Sequence, residues 1–153
     1  KPPAVTVVEV APGDSFAIGE VAVLVGATDH RPVEPTVAFR LEHSGTSVVL
    51  GGDGIPCAAL DDLCDGATAY VQTVLRDDIV KLFPLQRFLD ILDYHSTVEQ
   101  AAQTATKAGV KTLILTHYVP GIGPGQENEW RAIAAAHFSG DIVLGDDLTS
   151  VTI

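Results

Sequence analysis

The chain has 153 residues, 46% of them hydrophobic and 19% charged, which is the composition of one ordered domain with a single core. Nine basic against twenty acidic residues give a formal net charge of -11, which repels phosphate backbones and excludes charge-driven, nonspecific nucleic-acid binding. The longest apolar stretches, Val21 to Val25 and Leu113 to Leu115, fall far below the roughly 20 residues of a membrane span.

The chain holds no methionine and begins Lys1-Pro2-Pro3, with no signal-peptide pattern ahead of the first apolar run, so it reads as a piece of a longer protein. Val5 to Val10 alternates loosely as a strand, and Pro12-Gly13-Asp14 turns the chain into a short strand around Phe16 and Ile18. Val21 to Val25 is nearly all apolar, which predicts a strand buried on both faces or within a sandwich, running out into Asp29-His30. After the proline-punctuated loop 31–35, Thr36 to Leu41 and Ser47 to Leu50 form a hairpin through His43-Ser44-Gly45. The second strand of that hairpin ends in Gly51-Gly52-Asp53-Gly54 and delivers one carboxylate at its tip.

Pro56 to Cys64 carries helix formers and stops at Asp65-Gly66, and Ala69 to Val74 is again a strand. The two cysteines, Cys57 and Cys64, are too few for a disulfide framework or a zinc knuckle and read as reduced, cytoplasmic thiols. Between Asp77 and Leu92 apolar residues recur at helical spacing, but Pro84 divides the run into two short helices. Ser96-Thr97-Val98-Glu99 fits a capping box with Ser96 at its head, opening a helix to Gly109; the strand Thr112 to Thr116 then delivers His117. A breaker-rich loop, a helix over 129–136 and short strands at 142–144 and 148–153 complete the chain.

Three potential metal ligands close strands or follow them directly: His30, Asp53 and His117. Strand ends in a layered α/β protein converge on one edge, and imidazole with carboxylate suits zinc or another first-row divalent ion. On local sequence alone each also reads as an ordinary loop, turn or surface residue. His95 precedes a capped helix whose dipole disfavours a protonated ring, and reads either as a general acid or as a plain helix-entry residue. His43, in a hairpin turn, and His137, at a helix end, read as inert.

The order Asp29-His30-Arg31-Pro32, Ala38-Phe39-Arg40-Leu41, Gly51-Gly52-Asp53-Gly54, Tyr94-His95-Ser96-Thr97 and Leu115-Thr116-His117-Tyr118 resembles the C-terminal half of metallo-β-lactamase-fold hydrolases. Within them it is most similar to the ribonuclease Z and arylsulfatase-like branch. The resemblance implies an α/β fold, half of an αββα sandwich: a mixed sheet with helices on one face. It further implies that His30 binds a first zinc, that Asp53 bridges two, and that His117 binds the second, with Mn2+ an alternative metal. His95 would contact the scissile phosphate and donate a proton to the leaving oxygen, while hydroxide generated between the metals attacks in line.

Three departures accompany the resemblance. The family's His-x-His-x-Asp-His motif is absent together with the N-terminal half that carries it, so the chain alone is expected to be inactive. Gly54 stands where a threonine commonly follows the aspartate, and Val71-Gln72-Thr73-Val74 stands where ribonucleases Z often show His-Glu-Ala-Thr, losing a glutamate that orients the histidine. The expected partners are the missing half, a second copy of the chain, and an RNA or small phosphodiester or ester substrate, with no membrane. Besides the phosphodiesterase, two other readings stand: a non-catalytic, dimerising fragment, and a hydrolase of sulfate or carboxylic esters.

Overall fold

The computed structural model describes residues 4–83 and 85–153. Lys1-Pro2-Pro3 and the break assigned to Pro84 therefore lie outside the described residues. One seven-stranded sheet runs in sequence order: β1 (Ser15–Ile18), β2 (Val21–Ala27), β3 (Val37–His43), β4 (Thr46–Leu50), β5 (Ala69–Leu75), β6 (Thr112–Val119) and β7 (Asp141–Leu144). The first four strands form an antiparallel meander, and β4 to β7 are parallel. The hairpin between β3 and β4 turns through Ser44 and Gly45, both at positive φ, the backbone twist that a two-residue hairpin turn requires.

Parallel strands need crossovers, and helices supply them: α1 (Ala58–Cys64), α4 (Val98–Ala108) and α5 (Glu127–Ala135), with the short α2 (Asp77–Val80) and α3 (Gln86–Leu89) and a 3-10 turn, Asp90–Asp93, leading into α4. The helices pack on one sheet face. Val49, Tyr70, Leu113 and Leu115 meet Leu60, Val98, Ala101, Ala105, Trp130 and Ala134 there in a continuous core. Each fully buried large apolar side chain of this kind contributes roughly 1.5–3 kcal/mol. Cys64 belongs to the same core, where burial pushes its thiol up to about 12, and both cysteines are free.

The opposite face carries Val21, Phe39, Leu41, Val48, Val71 and Ile114, which are half-buried, together with the buried Val23 and Val25 of β2. The C-terminal stretch, through Thr149, Val151 and Ile153, lies over Val48, Val71 and Ile114. An α/β layer with helices on one face is thus the architecture, as expected. Among the described residues no helix is long and apolar enough to cross a membrane.

Several local expectations are corrected. β2 is buried on alternate residues only: Val23 and Val25, opposite Leu41 and Phe39 on the face away from the helices, are buried, while Leu24, opposite Arg40 on the helix-bearing face, stays 40% exposed. Val5 to Val10 forms no strand: β1 is already the sheet edge, and Val5, Val7 and Val8 are exposed. Nor do residues 148–153 form a strand, since Leu148 adopts a positive φ and is fully exposed. The cap of α4 falls one residue later than the sequence pattern implied. Thr97 accepts from the Gln100 amide while the Gln100 side chain accepts from the Thr97 amide, which frees Ser96 for another contact.

Candidate metal centre

The pairing directions dictate where the site forms. β2 and β4 each run antiparallel to β3, and β5 and β6 run parallel to β4, so the carboxyl ends of β2, β4, β5 and β6 all reach one edge. That edge is where ligand sites assemble in open α/β sheets. His30 follows β2, Asp53 follows β4, His95 follows β5 and its short helices, and His117 lies near the end of β6.

His30, Asp53 and His95 each offer a donor atom, and those atoms lie within 4.8 Å of one another. His117 joins them through Asp53: its Nε2 is 3.9 Å from Asp53 Oδ2, the same distance at which His95 Nε2 approaches that oxygen. A bulge aims the ring. Thr73 pairs with Thr116 and Leu75 with Val119, so two steps along β5 match three along β6, and His117 takes φ 49° at the extra residue. Bulges beside sites re-aim side chains in this way.

The rings are held from behind. His30 donates its Nδ1–H to the Tyr94 carbonyl at 2.7 Å, and His95 donates its own to the Ile91 carbonyl at 3.1 Å. Since a carbonyl only accepts, both neutral rings keep the tautomer that leaves Nε2 with a free lone pair. The two imidazoles meet edge to face, with centroids 4.9 Å apart. Burial, the largest influence, lowers the His95 pKa, against opposing effects of the Ile91 contact and the Asp53 charge. The direction matches the sequence reading, but the main cause is desolvation, not the helix dipole.

Asp53 Oδ1 is buried and, among the described residues, has no hydrogen-bond partner. An orphaned buried carboxylate oxygen is costly unless something positive meets it, and the surrounding donors are imidazole nitrogens. This donor set fits a divalent ion. The neighbouring carboxylate, Asp29, is not part of the group; it is paired to Arg31 at 2.5 Å. His43 lies across the molecule beside Glu20, and His137 beside Glu99, so neither joins the site.

Sequence reasoning named Gln72 only as the place of a lost glutamate and Ser96 only as a helix cap, and missed what they hold. Gln72 is 1% exposed and donates to the Gly52 carbonyl; Ser96 is equally buried and donates to the Gly54 carbonyl. The signal was present in Gln72, a polar residue at an inward position of an otherwise apolar strand. Gly54 also gains a reason. Its φ is 154°, and a Cβ there would lie 2.9 Å from the Asp29 carbonyl oxygen, so a threonine does not fit this backbone.

The beta-lactamase superfamily domain matches residues 1–118 of the chain. Ribonuclease Z of Mycolicibacterium gilvum (strain PYR-GCK) is 57% identical over 152 residues, covering 99% of this chain and 53% of that protein. A Mycobacterium tuberculosis (strain CDC 1551 / Oshkosh) protein carrying the ribonuclease Z name is 55% identical over 99% of this chain and 68% of its own length. The chain belongs to the metallo-β-lactamase superfamily, in its ribonuclease Z family. It spans about half the length of most of the curated relatives it matches. Among solved structures, the metallo-β-lactamase fold protein YhfI from Bacillus subtilis aligns with a TM-score of 0.71 at 20% identity, over 90% of this chain and 52% of that one. Human tRNase Z, short form, aligns with a TM-score of 0.60 at 22% identity, over 90% of this chain and 44% of that one. Both likenesses establish the fold.

Proposed function

We propose that this chain is the C-terminal part of a zinc-dependent phosphodiesterase of ribonuclease Z type. The observation that carries the reading is Asp53, whose Oδ1 is buried with no hydrogen-bond partner among the described residues, beside His30, His95 and His117. His30, Asp53 and His117 would hold the ions, with Asp53 shared between two, and the remaining ligands would come from an N-terminal portion carrying His-x-His-x-Asp-His. Bound zinc supplies Lewis acidity and neutralises charge on the phosphoryl oxygens.

His95 is placed for a separate task. Its Nδ1 contact to Ile91 fixes the ring plane, so that Nε2 faces the space beside Asp53, where a scissile phosphate would sit. From there it would contact the phosphate and, when protonated, hand a proton to the leaving oxygen. The half-buried sheet face supports the domain reading, because it is the surface the other half of an αββα sandwich would cover. Pairing of two copies is the alternative cover.

The names of the relatives support RNA as substrate. The net charge of -11 and the absence of a glutamate at Gln72-Thr73 favour a second reading, a small phosphate, sulfate or carboxylic ester. The test is metal analysis and hydrolysis by the chain joined to the N-terminal portion its relatives carry, with bis(p-nitrophenyl) phosphate and a 3′-extended RNA as substrates. Two zinc ions and cleavage of both substrates are expected. Absence of zinc sinks the metal reading, cleavage of the small ester alone moves the substrate, and activity in the isolated chain contradicts the half-site. Molecular mass measured on the same preparation reads out dimer formation.

A further inference from the structure

We infer that Gln72 and Ser96 are positioning residues that fix Asp53 by holding the peptide carbonyls on either side of it. The value of that placement for metal binding rests on the reading above; the clamp itself does not.

Asp53 sits in the least self-supporting stretch of the chain, Gly51-Gly52-Asp53-Gly54. Glycine gives up more backbone freedom on ordering than any other residue, and Gly52 and Gly54 occupy positive φ, 68° and 154°. The aspartate does not anchor itself, since its Oδ1 makes no hydrogen bond to any described residue. Order must therefore come from outside the loop. Gln72 Nε2 donates to the Gly52 carbonyl at 3.0 Å, and Thr73 Oγ1 donates to the same oxygen at 3.0 Å. Ser96 Oγ donates to the Gly54 carbonyl at 2.7 Å. The carbonyls of both glycines flanking Asp53 are thus held, one from β5 and one from the entry to α4.

Gln72 is itself fixed. The Tyr70 hydroxyl donates to its Oε1 at 2.7 Å, which orients the amide so that Nε2 faces the loop, and Ser96 Oγ lies 3.5 Å from that nitrogen. Tyr70, Gln72 and Ser96 are each 1% exposed. A glutamine buried among apolar neighbours is costly unless its polar atoms are used, and here both are. Ser96 also follows His95 directly, and the backbone N–H of Leu75 bonds its carbonyl at 3.0 Å, so one residue ties β5, His95 and the Asp53 loop together. Supports of this kind typically change metal affinity by about 10–100-fold when removed.

The test compares Gln72→Leu, Ser96→Ala, Thr73→Val and Ser96→Thr with the parent protein. Amide hydrogen exchange on the metal-free protein and titration with Zn2+ are the two readouts. Exchange across 51–55 is expected to rise at least tenfold in Gln72→Leu and Ser96→Ala and a few-fold in Thr73→Val, with the rest of the sheet unchanged. Zinc affinity should fall by about tenfold or more in the first two, and Ser96→Thr, which keeps the hydroxyl, should restore both. Unchanged exchange at 51–55, or a rise spread evenly over the sheet, overturns the clamp. If Gln72→Leu fails to fold, Ser96→Ala and Thr73→Val decide by the same criteria. If the parent protein binds no zinc, the functional reading above falls while exchange still decides the clamp.

Discussion

His117 reaches Asp53 because β6 carries one residue more than β5 at the bulge: with φ 49° the histidine turns its Nε2 to 3.9 Å from Asp53 Oδ2. A left-handed backbone at a residue with a side chain is tolerated where the surroundings hold it, at a cost of roughly 1–3 kcal/mol. Two substitutions separate the backbone from the imidazole. His117→Gly relieves the strain and removes the proposed ligand, so thermal stability should hold or rise while zinc affinity falls. His117→Val removes the ligand and adds a β-branched side chain at positive φ, so both should fall. Calorimetry and zinc titration on the pair check this; a His117→Val protein as stable as His117→Gly contradicts it.

Gly51 has a different reason to be glycine. Its backbone is ordinary, but a Cβ would lie 2.0 Å from Gln72 Oε1 and 3.1 Å from Tyr70 Cε2. Gly51→Ala must therefore displace Gln72 from the Gly52 carbonyl. Loss of one such buried contact costs about 1–3 kcal/mol, and the expected result is a melting temperature lower by several degrees with weaker zinc binding. In a Gln72→Ala background the added methyl meets no amide, so Gly51→Ala should cost little further stability there, while zinc affinity stays low. A cost as large in that background as in the parent contradicts the steric account.

The hairpin, the α4 stop at Gly109 and the strands that deliver His30, Asp53 and His117 were legible because each rests on local chemistry: turn glycines, alternation and a left-handed cap. What was not legible depended on contacts far apart in sequence. Val5 to Val10 alternates well enough for a strand, but nothing in the pattern says that β1 already closes the edge. Ser96 and Thr97 both suit an N-cap, and only the Gly54 carbonyl, 42 residues upstream, shows why the serine is withdrawn from that role. The bulge at His117 left no mark, since it is a mismatch between two strands and neither strand's sequence contains it.

Arg76 links α2 to α5. Its guanidinium, largely buried, contacts the Asp78 carboxylate at 2.7 and 2.6 Å, reaches Glu129 at 3.4 Å and lies over the Trp130 ring at 5.7 Å. The hydrogen bonds from Arg76 hold the Asp78 carboxyl below its ordinary value, against a smaller opposing effect of burial. A carboxyl whose folded pKa is depressed adds stability above its unfolded pKa, roughly 3.9, and loses it as pH falls through the folded value. Urea midpoints should therefore decline more steeply below about pH 4 in the parent than in Asp78→Asn. Parallel curves for the two proteins would show that the pair contributes nothing, as exposed pairs often do.

Asp53 gives the sharpest contrast between states. Without a metal, its Oδ1 is buried with no partner among the described residues, so replacing the carboxylate with an amide removes a charge from an unfavourable place. With a metal, the carboxylate would serve as a ligand of the proposed site. Asp53→Asn should then be as stable as the parent, or more so, when both are stripped with chelator. On adding zinc the parent should gain stability, about 2.7 kcal/mol at a hundredfold excess over its dissociation constant, while Asp53→Asn gains little. Melting curves of both proteins with and without zinc check this in one experiment. Two outcomes count against the assignment: a metal-free Asp53→Asn protein that melts well below the parent, which would make Asp53 a structural residue, and an equal zinc-induced rise in both, which would place the metal elsewhere.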